Sequence, residues 1–213
     1  MTAYDPDLEK YILDHIDKED EMLLELNRLT HLKMVHPRMV SGHLQGKILR
    51  MFSMMIRPER ILEIGTFTGY SAICLAQGMP ETGHLHTIEI NDEITDTPLK
   101  YFEKFGLSSK ITLHVGDAKE IIPKLAGPFD LVFMDGEKSE YVEYYQLIFE
   151  KIKAGGFIIA DNVLWNGKVL QHEASNDYFT KGIKMFNNLI REDVRIEKVI
   201  LPIRDGLMLL KKK

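Results

Sequence analysis

A single cysteine, Cys74, stands in the 213-residue chain. One thiol excludes an internal disulfide and fits a reducing compartment. Flanked by Ile73, Leu75 and Ala76 in a helical stretch, it reads as a packing residue rather than a reactive one. Positive charge is not in excess either. At a formal net charge of −5, no basic field exists to neutralise phosphates, so no nucleic-acid partner is expected. The closing Lys211-Lys212-Lys213 reads as a solvated tail. No apolar run approaches the roughly 18 residues of a membrane span. The acidic start carries no leader-like apolar segment. The expectation is a cytoplasmic protein with no membrane partner. Internal repeats, linkers and low-complexity segments are also missing. With 45% hydrophobic and 28% charged residues, the chain is long enough to bury a sizeable core as one domain.

A third glycine is the next absence. Residues 60–71 read Arg-Ile-Leu-Glu-Ile-Gly-Thr-Phe-Thr-Gly-Tyr-Ser. Ile61, Leu62 and Ile64 make a short buried strand, Gly65 ends it, and a helical pattern runs from Tyr70 to Gly78. A dinucleotide fingerprint needs Gly-x-Gly-x-x-Gly so that the backbone can approach a pyrophosphate. Here Gly65 and Gly69 stand alone with the bulkier Thr66 and Phe67 between them, which better suits a nucleoside cofactor without a pyrophosphate.

What is present alternates. Helical periodicity covers 5–17, 20–33 (with Met34 on its apolar face) and 43–56, broken at His36-Pro37-Arg38. Strands are expected at 61–64, 84–90, 110–115, 129–135, 157–160, 195–201 and 206–211. Between them lie helices at 97–105, 118–125, 138–152 and 176–191, with Gly155-Gly156 as a break. Alternating βα units predict an α/β fold: a doubly wound, mostly parallel, seven-stranded Rossmann-like sheet. Residues 1–56 form N-terminal capping helices, and 57–213 form the core.

The strands deliver acids to one edge. Glu63, Glu89, Asp117, Asp135 and Asp161 all fall at or near strand C-termini, the ligand-binding side of a parallel sheet. Asp117 equally suits a helix N-cap. Crowded like charges call for a cationic partner. Glu89, about twenty residues past the glycine turn, suits a ribose diol. Asp135, Asp161 and Asn162 are hard oxygen donors suited to Mg²⁺, Ca²⁺ or Mn²⁺, although Asp161-Asn162 also suits a turn. Lys138 is positioned to pair with a carboxylate or act as a base.

Taken together, Leu62–Ser71, Thr87-Ile-Glu-Ile-Asn91, Asp135-Gly-Glu-Lys138, Asp161-Asn-Val-Leu-Trp-Asn-Gly167 and Leu201-Pro-Ile-Arg-Asp-Gly-Leu207 resemble the cation-dependent catechol and caffeoyl-coenzyme-A type O-methyltransferases over residues 34–210. The resemblance implies S-adenosylmethionine as cofactor. It puts Val40, Gly42, Glu63, Gly65, Thr66, Tyr70 and Ser71 around the methionine part, Glu89 on the ribose, and Asp117 and Ala118 beside the adenine. It makes Asp135, Asp161 and Asn162 ligands of a divalent cation, and Lys138 the base, with its pKa lowered beside the metal. Asp135 then serves both cofactor and catalysis. A catechol-like small molecule is the implied acceptor and a homodimer the implied assembly.

The chain departs from the family pattern where Asp-Ala-Asp-Lys becomes Asp135-Gly-Glu-Lys138. It departs again at Val199, in the register of a substrate-orienting acid. The stretch 166–180, with Gln171-His-Glu-Ala-Ser-Asn, would edge the acceptor pocket, and His172 reads as solvated. Two alternatives stand beside this reading: a nicotinamide-dependent oxidoreductase on a similar sheet, and a catalytically silent cofactor binder.

Overall fold

The computed structural model describes residues 6–172 and 176–213. Helices α1 (Pro6–Asp14), α2 (Glu21–Lys33) and α3 (Gly42–Ile56) come first. Helix α1 ends before the expected residue 17. Asp17 leaves to pair with Lys47 at 2.7 Å, and Asp20 caps α2 by accepting the Met22 N–H at 2.8 Å. Met34 is already extended, with φ −92° and ψ 143°, as the chain prepares for the His36-Pro37 restriction.

Strands β1 (Arg60–Ile64), β2 (His84–Glu89), β3 (Ile111–Val115), β4 (Phe129–Met134), β5 (Ile152–Ala160), β6 (Ile196–Leu201) and β7 (Leu207–Lys212) form one seven-stranded sheet ordered β3-β2-β1-β4-β5-β7-β6. The first five are parallel, and β7 inserts antiparallel between β5 and β6. Helices α4 (Tyr70–Gly78), α5 (Asp96–Lys104), α6 (Ala118–Ile121), α7 (Tyr141–Phe149) and α8 (Tyr178–Glu192) connect them. The doubly wound α/β class read from the sequence is the fold observed. Strand order reverses between β1 and β4, which opens a crevice at their C-terminal ends.

Period-two alternation sorts the core into two layers. Leu62, Ile64, Val132 and Met134 pack with α7 and α8 on one face; Ile61, Leu131 and Phe133 pack with α3 and α4 on the other. Each such side chain contributes about 1.5–3 kcal/mol when fully buried. Glu63 follows Ile61 onto the second face and is fully buried there. Cys74 is likewise buried, and burial pushes its thiol pKa up, in keeping with a packing role.

Three local expectations are corrected. Strand β5 starts at Ile152, not 157: Gly155 and Gly156 lie inside it, where the pairing with β4 changes register. Such a register irregularity, with Gly155 at positive φ, suits glycine better than a helix stop does. The helix expected over 138–152 is a 3₁₀ turn, Lys138–Glu140, followed by the shorter α7. Finally, Lys212 is not part of a solvated tail: it belongs to β7, and its ammonium donates to the carbonyls of Phe149 and Ile152 at 2.7 and 3.0 Å. Among the described residues no helix is long and apolar enough to cross a membrane.

Candidate active site

The glycine turn is built where β1 ends. Gly65 has φ 101°, and a Cβ there would lie 2.4 Å from the Asp135 carbonyl oxygen, so only glycine lets β1 and the 135 turn approach. The N–H groups of Gly65 and Thr66 both donate to Ile88 O, at 3.0 and 3.1 Å. Glu89 fastens the turn from β2. Its Oε2 accepts the Phe67 N–H at 2.7 Å and its Oε1 the Asn91 N–H at 2.9 Å. Val40 and Ser41 close a cleft with Gly65, Thr66, Tyr70, Ser71 and Asp135. Gly42, at φ 73°, opens α3 behind that wall.

At the end of β3, Gly116 N–H donates to Glu89 O at 2.8 Å, which brings Asp117 and Ala118 to the same edge. Asp117 does cap α6, accepting the Lys119 N–H at 2.8 Å. The Tyr70 hydroxyl donates to Glu19 at 2.5 Å, and Tyr70 lines both the cleft and a cavity of about 170 Å³ beside Lys47, Arg50 and Cys74.

Burial and the crowding of the acids raise the pKa of Glu63 and of Asp135. Burial pushes Glu63 up to about 8, against the pull of the Thr87 and Ser71 hydroxyls. The Thr87 hydroxyl donates to Glu63 Oε2 at 2.5 Å, and Thr66 Oγ1 lies 2.5 Å from Thr87 Oγ1. Oε1 is buried without a hydrogen-bond partner, a polar atom that an ionised Glu63 would offer to a cationic or hydrogen-donating ligand.

A second group gathers at the ends of β4 and β5. Asp161 N–H donates to Met134 O at 3.0 Å, joining the two strand ends. Lys138 Nζ donates to Asp135 Oδ1 at 2.6 Å and to the Tyr141 hydroxyl at 2.8 Å. The Tyr141 hydroxyl in turn lies 3.1 Å from the carbonyl oxygens of Met134 and Asp161. Asn162, at φ 58°, turns the chain directly after Asp161. Helix α8 presses the Lys138 turn into place: a Cβ on Gly182 would lie 2.3 Å from Lys138 O.

Burial pushes Asp135 up to about 6; Lys138 pulls it down and Asp161 pushes it further up. The lowering of the Lys138 pKa expected from the sequence depends on burial and on a neighbouring cation. Burial does work in that direction, but Asp135, Tyr141 and Asp161 together hold the ammonium above the ordinary lysine range. Among the described residues no three His, Cys, Asp or Glu side chains form a metal cluster. The set here is two carboxylates and an amide. Its all-oxygen chemistry fits a hard divalent cation.

Sequence reasoning missed Gln45 and Arg204. Gln45 Nε2 donates to Asp161 Oδ2 at 2.6 Å, and Arg204 Nη1 donates to Gln45 Oε1 at 3.0 Å. Arg204 was legible only as part of Leu201–Leu207, and no local signal marked Gln45. Val199 is half-exposed on β6 and His172 is exposed. Glu173, Ala174 and Ser175 of the expected acceptor-pocket edge lie outside the described residues.

The O-methyltransferase family profile matches residues 14–213. A catechol O-methyltransferase of Niastella koreensis is 34% identical over 91% of this chain and 89% of its own. A caffeoyl-CoA O-methyltransferase of Stellaria longipes is 33% identical over 94% and 88%. Among solved structures, the O-methyltransferase TomG of Streptomyces achromogenes, in complex with SAM, superposes with a TM-score of 0.90 at 28% identity, covering 97% of this chain and 96% of that one. An O-methyltransferase of Bacillus cereus in complex with SAH gives 0.90 at 27%, covering 97% of each.

The chain belongs to the O-methyltransferase family, enzymes that carry a methyl group from S-adenosylmethionine to an oxygen. That membership removes the nicotinamide-dependent alternative.

Proposed function

We propose that this enzyme methylates one hydroxyl of a vicinal diol on an aromatic ring, with S-adenosylmethionine as methyl donor and a divalent cation at Asp135, Asp161 and Asn162. The observation that carries this reading is the convergence of Asp135, Asp161 and Lys138 on one sheet edge, beside the glycine-turn cleft. A bound cation supplies a Lewis acid that lowers the pKa of a neighbouring hydroxyl. The bound donor supplies an electrophilic methyl group on a sulfonium.

The rest of the work falls to the chain itself. Val40, Gly42, Gly65, Thr66, Tyr70 and Ser71 wall the methionine end of the donor, and Glu63 underlies it. Glu89 accepts from the ribose, and Asp117 and Ala118 flank the adenine. Lys138 is held charged by the same carboxylates that a cation would neutralise. With that charge met by a cation held there, Lys138 would give its own proton up to solvent and its neutral Nζ would accept the hydroxyl proton. The acceptor oxygen then forms its bond to carbon as the carbon–sulfur bond breaks, the electron pair leaving on sulfur. Holding these atoms in line is where much of the acceleration arises.

The N-terminal helices expose Leu8, Tyr11, Met51, Met54 and Met55, an apolar surface consistent with a homodimer. Sedimentation at micromolar concentration checks it. The function itself is tested by methyl transfer from S-adenosylmethionine to a panel of catechols, with Mg²⁺ and with excess chelator. Turnover abolished by chelator and restored by metal is expected. Turnover indifferent to chelator would sink the cation. Donor binding without turnover on any catechol would favour the catalytically silent reading.

A further inference from the structure

Arg204 stands in the β6–β7 turn at φ 48°, a left-handed conformation uncommon for arginine. Its guanidinium reaches across to the opposite wall of the site. Nη1 donates to the carbonyls of Ser41 and Val40, the latter at 3.2 Å, and to Gln45 Oε1; Nη2 lies 3.3 Å from Val40 O. Gln45 is 1% exposed and Asp161 4%. The orientation of the Gln45 amide follows from chemistry. Arginine only donates, so Oε1 faces Arg204 and the NH₂ group faces the carboxylate of Asp161, which only accepts when ionised. Asp161 Oδ1 accepts its neighbour's N–H, Asn162, at 2.7 Å, so both carboxylate oxygens are held.

One guanidinium thus ties the Val40–Ser41 wall of the donor cleft to a carboxylate of the cation site. We propose that Arg204 and Gln45 are positioning residues. They form a strut that orients Asp161 for the cation and fixes the Val40–Ser41 wall for the donor, so that the two ligands bind interdependently. The proposal rests on the cation reading given above. Because linkage is reciprocal, whatever the donor does to cation affinity the cation does to donor affinity.

The test is isothermal titration of Mn²⁺, with and without saturating S-adenosylhomocysteine, and of S-adenosylhomocysteine alone. The proteins are wild type, Gln45→Ala, Gln45→Met, Arg204→Ala, Arg204→Lys and Asp161→Ala, each checked by circular dichroism and thermal melting. In wild type the nucleoside should tighten Mn²⁺ by about fivefold or more. Gln45→Ala and Gln45→Met should weaken Mn²⁺ by about 10- to 100-fold and leave S-adenosylhomocysteine within about twofold, since Arg204 still holds Val40 and Ser41. Arg204→Ala should weaken both ligands and abolish their coupling. Arg204→Lys should restore only part, because an ammonium lacks the planar fork.

Folded Gln45 and Arg204 variants that bind Mn²⁺ within twofold of wild type, while Asp161→Ala loses it, would overturn the strut and leave the cation site standing. A wild type that binds no Mn²⁺ would overturn both.

Discussion

Glu63 offers the sharpest test of how burial controls this site. With its pKa pushed up to about 8, roughly nine-tenths of the empty protein carries a neutral Glu63 at pH 7. If a bound sulfonium or ammonium requires the carboxylate, its ionisation costs about 1.4 kcal/mol at pH 7, a factor of about ten, and almost nothing at pH 9. The perturbation is Glu63→Gln, which keeps the shape and removes the titration. S-adenosylmethionine affinity should rise about tenfold from pH 7 to pH 9 in wild type relative to the variant.

The donor's own amino group titrates near 8, but it does so identically with both proteins, so the difference between the two profiles isolates Glu63. Calorimetry in buffers of different ionisation enthalpy should also show close to one proton released per donor bound at pH 7 in wild type, and less in the variant. Parallel pH profiles, with equal proton release, would refute the reasoning.

Stability carries the opposite sign. Between the ordinary 4.5 and about 8 the folded state holds a proton that the unfolded chain has lost, so stability falls as pH rises through that window. Glu63→Gln should lack that slope and gain on the order of a few kcal/mol over wild type at pH 9 in urea melts.

Three further outcomes follow from the same geometry. Lys138→Met should lower kcat by roughly 10²–10⁴-fold while leaving S-adenosylhomocysteine affinity within about twofold; full activity in that variant would remove Lys138 as proton acceptor. Gly182→Ala should press on the Lys138 backbone at 2.3 Å, costing about 1–3 kcal/mol by overpacking and lowering kcat more than donor affinity; an unchanged melting temperature and kcat would contradict the tight contact. Burial and the neighbouring His84 and His114 hold His86 down to about 4. The unfolded chain therefore binds the extra proton first, and stability should fall between pH 6.5 and 4. The loss is on the order of 2 kcal/mol after discounting for partial exposure. His86→Gln should lose that share of the acid sensitivity in urea melts at pH 7 and pH 4.5.

The alternation of strands and helices, the glycine turn and the delivery of acids to one edge were all determined by the sequence alone. Each depends on a pattern a few residues long. Apolar period two marks a strand, period 3.6 marks a helix, and a parallel sheet sends every strand's end to the same side. Where the local pattern was ambiguous, tertiary packing decided. Gly155-Gly156 suited a break as well as a register change inside β5, and the pairing with β4 chose the latter. Lys212 looked solvated until β7 carried it onto the carbonyls of Phe149 and Ile152.

Charge state and coupling belonged to the tertiary structure entirely. Glu63 reads as an ordinary acid until Ile61's face of the sheet buries it. Lys138 reads as an exposed lysine or a base, and only the fold shows that Asp135 and Asp161 surround it and raise its pKa. Gln45 meets Asp161 across 116 positions of sequence and Arg204 across 159. A pKa and a hydrogen bond are set by whatever atoms lie within a few ångströms, and at this sheet edge those atoms come from opposite ends of the chain.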